Sequence, residues 1–481
     1  MTATTTAQEA SSEVITRNDA IVLFGASGDL AKKMTFVSLY HLCRRNLLDM
    51  PIIGVAFSDW DDETLRKNAR EAIEATGTEI DESIWKGMAE RMHFVQGDYT
   101  KPDTYERVKK ALGSSKFPLF YLEIPPGLFL TTVQGLHQAG LTKDARVVIE
   151  KPFGHDYESA VELYAELSKL LNDEQLYRID HYLGKNAVQD IMVWRFANRM
   201  FEPLWNNANI ESVQITMSES FDVSDRGSFY DKVGALKDVI QNHIMQVIGL
   251  LAMDPPSKSE PDAIHAQQLE VFQSMRPIQT EDYVRGQYEG YLDVDGVAPN
   301  SETETFVALK VHIDSWRWAG VPFFIRAGKN LADTATEAIV VFRRPPLRLF
   351  TETGCPDPER NQLRFRLGHN DGVQMKVQAL DPASKMASKA VVLNVDFSEA
   401  LGEEKLPYEQ LLGDALDGNA TRFATQKIIE GTWTALARVL DNPGPVHVYK
   451  PGTMGPDLAD KMIKEYGGWI EPMGPASDMP A

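Results

Sequence analysis

Three short stretches carry residues whose types and spacing could do chemistry. "RIDHYLGK" (178–185) sets an aspartate, a histidine, a tyrosine and two cations within eight residues. "EKPFG" (150–154) places Lys151 just after a run of apolar residues. "GALKDVIQNHIMQVIGLL" (234–251) has apolar residues at helical spacing, interrupted by Asp238, Asn242 and His243. In an α-helix Asp238 and His243 would stand about 140° and roughly 7.5 Å apart, able to touch different parts of one ligand but not to share one hydrogen bond easily. Each stretch has a plain structural explanation, since a helix histidine is often structural and a lysine after a strand is often solvated. Together they could supply a base, a carboxylate to orient it and a cationic cluster for a phosphate, which is what a dehydrogenase acting on a phosphorylated alcohol needs.

Such residues need a frame, and the first part of the chain reads as one. Ile21–Phe24 is a continuous apolar run, as in a strand buried on both faces. Gly25, Ala26, Ser27, Gly28, Asp29 and Leu30 follow, and a helical pattern begins. Strand, glycine turn and helix form a phosphate cradle, in which the backbone comes close to a pyrophosphate and the helix N-terminus favours its charge. The spacing G-x-x-G is shorter than the full dinucleotide fingerprint and also suits an ordinary βα turn. A second strand, "MPIIGVAF", ends in Phe57, Ser58 and Asp59. Asp59 could hold the ribose 2′-hydroxyl of NAD, or could start the following helix. Further strands are expected at "MHFVQGD", "PLFYLEIPP" and "ARVVIEKPFG", alternating with helices as in a doubly wound parallel sheet. In the second half, "ESVQITMSES", "TFVALKVHID", "AIVVFRRPP", "QLRFRLG", "GVQMKVQAL" and "AVVLNVDF" show partial strand alternation.

A chain of 481 residues is expected to hold two domains. The formal net charge of −20 argues against broad nucleic-acid binding, so an anionic ligand must be met by a local cationic cluster. Two cysteines, Cys43 and Cys355, argue against a disulfide framework or a cysteine-rich zinc site; no metal is expected, and a reducing, cytoplasmic setting fits. No apolar run approaches the length of a membrane span. Residues 1–19 are expected to be a disordered leader and 471–481 a loose tail.

"GASGDLAKK", "EKPFG", "RIDHYLGK", "GALKDVIQNH", "VRGQY" and "TETFVALKVHIDSWRWAGVPFFIRAGK" resemble the glucose-6-phosphate dehydrogenase family from about Ala20 to Trp469, with "RIDHYLGK" the most specific. The resemblance implies an α/β chain: a Rossmann-like doubly wound domain over 20–190, then an α+β domain over 191–470 whose large, mostly antiparallel sheet carries a homodimer or homotetramer interface. It implies oxidation of glucose 6-phosphate at C1 to the phosphogluconolactone. His243 would be the base and Asp180 would orient it. His181, Tyr182 and Lys185 would hold the phosphate. Glu219 and Asp238 would bind sugar hydroxyls, Lys329 the substrate, and Lys151 both substrate and cofactor. NADP is the family's usual cofactor, bound along Gly25–Leu30 and by Phe57 and Ser58.

The chain departs from the family pattern at named positions. Met34 stands where a basic residue is usual, Phe57 where an arginine meets the 2′-phosphate, and Thr334 where a second cation follows Lys329. Gly368 and His369 replace a glutamine and a proline, Asn186 a glutamate, and Thr425–Ile428 an Arg-x-Asp-Glu pattern. Three readings follow: an enzyme relaxed towards NAD, one that holds NADP through other cations such as Arg44, Arg45 or Arg66, or a divergent paralogue that binds a sugar phosphate or a partner enzyme without efficient turnover.

Overall fold

The structure, a computed structural model, describes residues 17–473 apart from 348, 351–357, 369, 385 and 403. Most of the expected leader and tail, with Cys355 and His369, lie outside the described residues. The described ends of both segments are packed. Asn18 is buried and takes a hydrogen bond from Arg146 Nη1 at 2.6 Å, and Met473 N donates to Glu337 Oε1 at 3.0 Å.

Two compact units are formed. The first comprises the chain up to Lys151, with Glu166–Ile179 and Tyr408–Arg422; the second comprises Pro152–Ala165, Asp180–Pro407 and the chain from Phe423. The return of Tyr408–Arg422 to the first unit is anchored by a buried carboxylate: Glu409 accepts from Arg45 Nε at 2.6 Å and lies 3.4 Å from His41 Nδ1.

The first unit is built on a six-stranded parallel sheet: β1 (Ala20–Phe24), β2 (Ile52–Ala56), β3 (Met92–Gln96), β4 (Pro118–Leu122), β5 (Arg146–Ile149) and β6 (Leu176–Arg178). The spatial order is β3-β2-β1-β4-β5-β6, with Val22 beside Ile53 on one side and Phe120 on the other. Strands β1, β2 and β4 are buried along their whole length, which explains their unbroken apolar runs. The order reverses between β1 and β4, and that switch point is where such sheets bind dinucleotides.

The second unit holds a nine-stranded sheet: β7 (Ile210–Ser218), β8 (Tyr283–Tyr288), β9 (Phe306–Val311), β10 (Phe323–Gly328), β11 (Ala335–Phe342), β12 (Gln362–Arg366), β13 (Gly372–Leu380), β14 (Ser388–Asp396) and β15 (Val446–Tyr449). Its order is β14-β13-β12-β11-β7-β10-β9-β8-β15, antiparallel except for the β7–β10 and β8–β15 pairs. The helix Met245–Ala252 is buried all round and belongs to this unit's core, with Ile215, Leu309 and Ile325. Among the described residues no helix is long and apolar enough to cross a membrane.

The expected strands are all present. Strands β6, β8, β10 and β15 are additional, being short or lacking alternation.

Candidate active site

The chain leaves β6 at Arg178 and turns at once: Leu183 N bonds Asp180 O at 3.0 Å and Lys185 N bonds Tyr182 O at 3.1 Å. This tight turn presents Asp180, His181 and Tyr182 together and ends where Lys185 caps the helix Asn186–Phe196. The second supporting element is the helix at Leu236–Ile244, and it is π-helical. Hydrogen bonds there run from i to i+5, so Asp238 and His243 stand about one turn apart. The α-helical separation expected for them is therefore corrected, and both bear on one neighbourhood. The phenols of Tyr182 and Tyr230 are each raised first by burial and then by nearby charges that include Asp238.

His243 Nδ1 and Asp180 Oδ1 are 2.5 Å apart, and both residues are 2 % exposed. With the carboxylate on Nδ1, Nε2 is the ring nitrogen to receive a substrate proton. Rings pack around it. Tyr182 stacks on His243 with centroids 4.4 Å apart, and His181 meets it edge-on at 4.5 Å. Tyr182 thus holds the base as well as facing the cavity, a role the residue type alone does not reveal. By distance, Asp180, His181 and His243 could also hold a cation, since their ligand atoms lie within 4.8 Å of one another. The short Asp180–His243 contact occupies the inner nitrogen, however, and forms an acid–base dyad.

A cavity of ≈ 290 Å³ opens beside the dyad, lined by Tyr182, Lys185, Glu219, Thr334, Arg366 and Gly368 among others. Lys185 Nζ donates to Leu367 O at 3.3 Å and lies 4.3 Å over the Tyr182 ring. Burial lowers the proton affinity of its ammonium. Lys329 is buried and paired with Glu219, and Tyr449 Oη donates to its carbonyl at 2.6 Å. Thr334 and Gly368 line the cavity without adding charge, and Thr334 Oγ1 accepts from Ser220 N at 2.9 Å. Arg366, which the sequence reading passed over inside a strand run, is a cation of this cavity.

The cofactor residues lie in the first unit. Gly25 has φ +94°, and a Cβ there would meet the Glu123 carbonyl oxygen at 2.1 Å, so the turn requires glycine. Gly28 N closes the turn onto Gly25 O at 2.8 Å, and Asp29 and Leu30 begin the helix. Together with the switch point between β1 and β4, this turn fits a dinucleotide pyrophosphate. Ser58 Oγ donates to Ser27 Oγ at 2.9 Å. Phe57 is 77 % exposed at the mouth of a groove shared with Ser58, Asp59, Asp98 and Arg107.

Asp59 does not start the next helix. That helix is Asp62–Ala75, and its cap is Asp61, which accepts from Thr64 N at 2.8 Å. Arg45 and Arg66 are committed elsewhere, Arg45 to Glu409 and Arg66 Nη2 to Met92 O at 2.9 Å. The groove's guanidinium is Arg107, which sequence spacing did not single out; its Nη1 pairs with Asp103 at 2.7 Å. Lys151 follows β5, next to Glu150, whose Oε1 accepts from Tyr121 Oη at 2.6 Å. Glu123, after β4, takes a hydrogen bond from Thr35. Burial first, then the nearby Glu150, pushes its carboxyl up to about 8.

Known proteins resemble this chain along nearly its whole length. The family described as "Glucose-6-phosphate dehydrogenase, NAD binding domain" matches residues 22–190, and "Glucose-6-phosphate dehydrogenase, C-terminal domain" matches 192–470. The chain is 44 % identical over 458 residues to glucose-6-phosphate 1-dehydrogenase 1 of Mycobacterium tuberculosis, covering 95 % of this chain and 97 % of that protein. It is 36 % identical to the Bacillus subtilis glucose-6-phosphate 1-dehydrogenase, over 93 % of this chain and 97 % of the relative. The crystal structure of the Mycobacterium avium enzyme superposes with a TM-score of 0.87 at 42 % identity, covering 95 % of this chain and all (100 %) of that one. A glucose-6-phosphate dehydrogenase in complex with its substrate glucose-6-phosphate superposes with a TM-score of 0.88 at 32 % identity, covering 95 % and 99 %. With matching family domains across both halves and relatives of this identity along nearly its whole length, the chain belongs to the glucose-6-phosphate dehydrogenase family.

Proposed function

We propose that this protein oxidises D-glucose 6-phosphate at C1 to 6-phospho-D-glucono-1,5-lactone, with His243 as the base. The observation that carries the assignment of roles is the buried Asp180–His243 contact at 2.5 Å, beside a cavity that holds Lys185 and Arg366. His243 Nε2 takes the C1 hydroxyl proton as the C1–H bond breaks. Asp180 fixes the ring's tautomer and stabilises the imidazolium. A nicotinamide cofactor, when bound, accepts the hydride that leaves C1. Lys185, with His181 and Tyr182, holds the phosphoryl group. Glu219 and Asp238 accept from sugar hydroxyls, Lys329, paired with Glu219, binds the substrate, and Lys151 serves both substrate and cofactor.

For the cofactor, the chemistry at the end of β2 favours NAD. The groove there presents Asp59, Asp98 and the neutral Phe57, and its one guanidinium among the described residues, Arg107, is paired with Asp103. Carboxylates suit a ribose diol and repel a 2′-phosphate.

For assembly, Val391, Leu393 and Val395 are exposed at alternate positions of the edge strand β14, an apolar face that suits a second copy of the chain. Light scattering should give at least a dimer; a monomer at micromolar concentration would refute this.

Absorbance of reduced nicotinamide, with glucose 6-phosphate and each cofactor in turn, tests the whole reading. NAD reduction at the higher kcat/KM is expected. Silence with both cofactors, in folded protein that binds the sugar phosphate, would favour a relative without turnover.

A further inference from the structure

Glu304 and Thr305, which lead into β9, are bonded to two different parts of the site. Glu304 receives the start of the helix Leu236–Ile244. Its carbonyl accepts from Ala235 N at 2.9 Å, and its Oε1 accepts from Leu236 N at 3.0 Å. These are N–H groups of the kind that a helix start leaves without internal partners. Gly234, just before them, has φ +69°, and a Cβ there would collide with Glu304 Oε1, so the close approach requires glycine. The helix that Glu304 receives in this way carries Asp238 and His243.

Thr305 is fully buried and holds the residue that follows β10. Its carbonyl accepts from Lys329 N at 2.9 Å. Its hydroxyl belongs to a chain of hydrogen bonds. Tyr288 N donates to Thr305 Oγ1 at 3.1 Å, Thr305 Oγ1 and Tyr449 Oη lie 2.9 Å apart, and Tyr449 Oη donates to Lys329 O at 2.6 Å. The phenol's one proton goes to the Lys329 carbonyl, so the Thr305 hydroxyl is the donor to the phenol oxygen. Tyr449 reaches this point from β15, at the edge of the sheet, and is itself buried. Both backbone polar groups of Lys329 therefore end on Thr305 and Tyr449. Glu219, paired with the Lys329 ammonium, is tied to the same corner, its N donating to Gly328 O at 3.0 Å.

We propose that Glu304 and Thr305 are positioning residues for the reaction: Glu304 sets the helix that carries the base, and Thr305, with Tyr449, sets Lys329 and through it Glu219. The inference rests on His243 as the base and Lys329 as a substrate ligand. Those groups stand on separate elements, one on a helix and the other at the end of a strand. Proton removal needs the distance between them fixed, because a misplacement of about 1 Å can cost on the order of a hundredfold in rate. Two adjacent residues bonded to both elements supply that fixed distance, and neither has to touch the substrate.

The test is the split between kcat and the KM for glucose 6-phosphate at saturating cofactor. Thr305→Val keeps the shape and removes the hydroxyl, and Tyr449→Phe removes the donor on the Lys329 carbonyl. Each should raise KM roughly three- to tenfold with kcat within about twofold. The double variant should be no worse than either alone, since both cut one chain of bonds. Glu304→Ala strips the helix start of its side-chain acceptor, and should lower kcat by about ten- to a hundredfold with KM little changed. Glu304→Gln keeps an acceptor oxygen and should restore most of that loss. Equal losses in kcat and KM on both sides, or effects confined to thermal stability, overturn the proposal. If Thr305→Val does not fold, an unchanged KM in Tyr449→Phe overturns it instead. Lys329→Ala separates the two levels. An unchanged KM there would remove Lys329 from the substrate and this inference with it, whereas a raised KM beside unchanged values in Thr305→Val and Tyr449→Phe overturns this inference alone.

Discussion

His243 and Asp180 are each 2 % exposed, whereas Phe57, at the groove of the other unit, is 77 % exposed. The first pair is enclosed by stacked rings and fixed by a 2.5 Å contact; the second region is an open trough with two carboxylates and a guanidinium that is already paired. Enclosure matters because a hydrogen bond or charge in a dry site acts at low dielectric, while one at an open mouth is screened. Proton removal therefore depends on a rigid, pre-assembled set. Cofactor choice depends on a few exposed side chains that substitution can change without disturbing the fold.

The contrast can be broken at its strongest point first. His243→Ala should lower kcat by about 10²–10⁴ with little change in substrate KM, the usual worth of a positioned base. Turnover within a few-fold of the original would remove His243 from that role. Asp180→Asn leaves the shape but offers an amide in place of a carboxylate, and should lower kcat by roughly 10²–10⁴ through loss of the tautomer and of the imidazolium's partner. A pH–rate profile identical to the original would argue against the dyad. Lys185→Ala should raise the substrate KM by about ten- to a hundredfold with kcat less affected.

On the open side the effects should be smaller and confined to the cofactor. Phe57→Arg adds a planar fork of donors at the end of β2, and should raise kcat/KM for NADP relative to NAD by about tenfold while leaving the substrate KM unchanged. A change in the substrate KM would mean that the two regions are not separable.

A last effect is on stability rather than turnover and concerns Glu123, half-buried after β4 with its Oε2 enclosed. Its folded-state pKa is raised, so the folded form keeps a proton that the unfolded chain releases. Stability is fully present below the ordinary carboxylate range, falls as pH rises, and levels off above about 8. Within that window the loss is about 1.4 kcal/mol per pH unit at most. Glu123→Gln should flatten the decline, which thermal melts between pH 5 and 9 would read directly; an unchanged slope would place the charge elsewhere.

Much of this was legible before the fold was seen, where a local physical rule ties residue type to position. The apolar run Ile21–Phe24 and the turn from Gly25 to Gly28 specify a buried parallel strand feeding a helix. The run "RIDHYLGK" places its aspartate, histidine and tyrosine in one tight turn whatever surrounds it. Other features came from contacts distant in sequence. The cap on the second helix is Asp61, and Asp59 is left to the groove, because a helix start is set by which side chain reaches the free N–H groups. Arg107 reaches the groove from a helix far along the chain from Phe57, and Arg45 is taken by Glu409, on a segment that returns to the first unit.

The sequence by itself determined the residue types for proton removal and phosphate binding, the parallel sheet that frames the glycine turn, and the absence of an arginine at Phe57. These are matters of local composition and of strand and helix period. Only the tertiary structure decided that Leu236–Ile244 is π-helical, that Tyr182 stacks on His243 while facing the cavity, and that the carbonyl of Leu367 meets Lys185. A hydrogen-bond register and a ring stack depend on what packs from elsewhere in the chain, and no local rule of spacing contains that information.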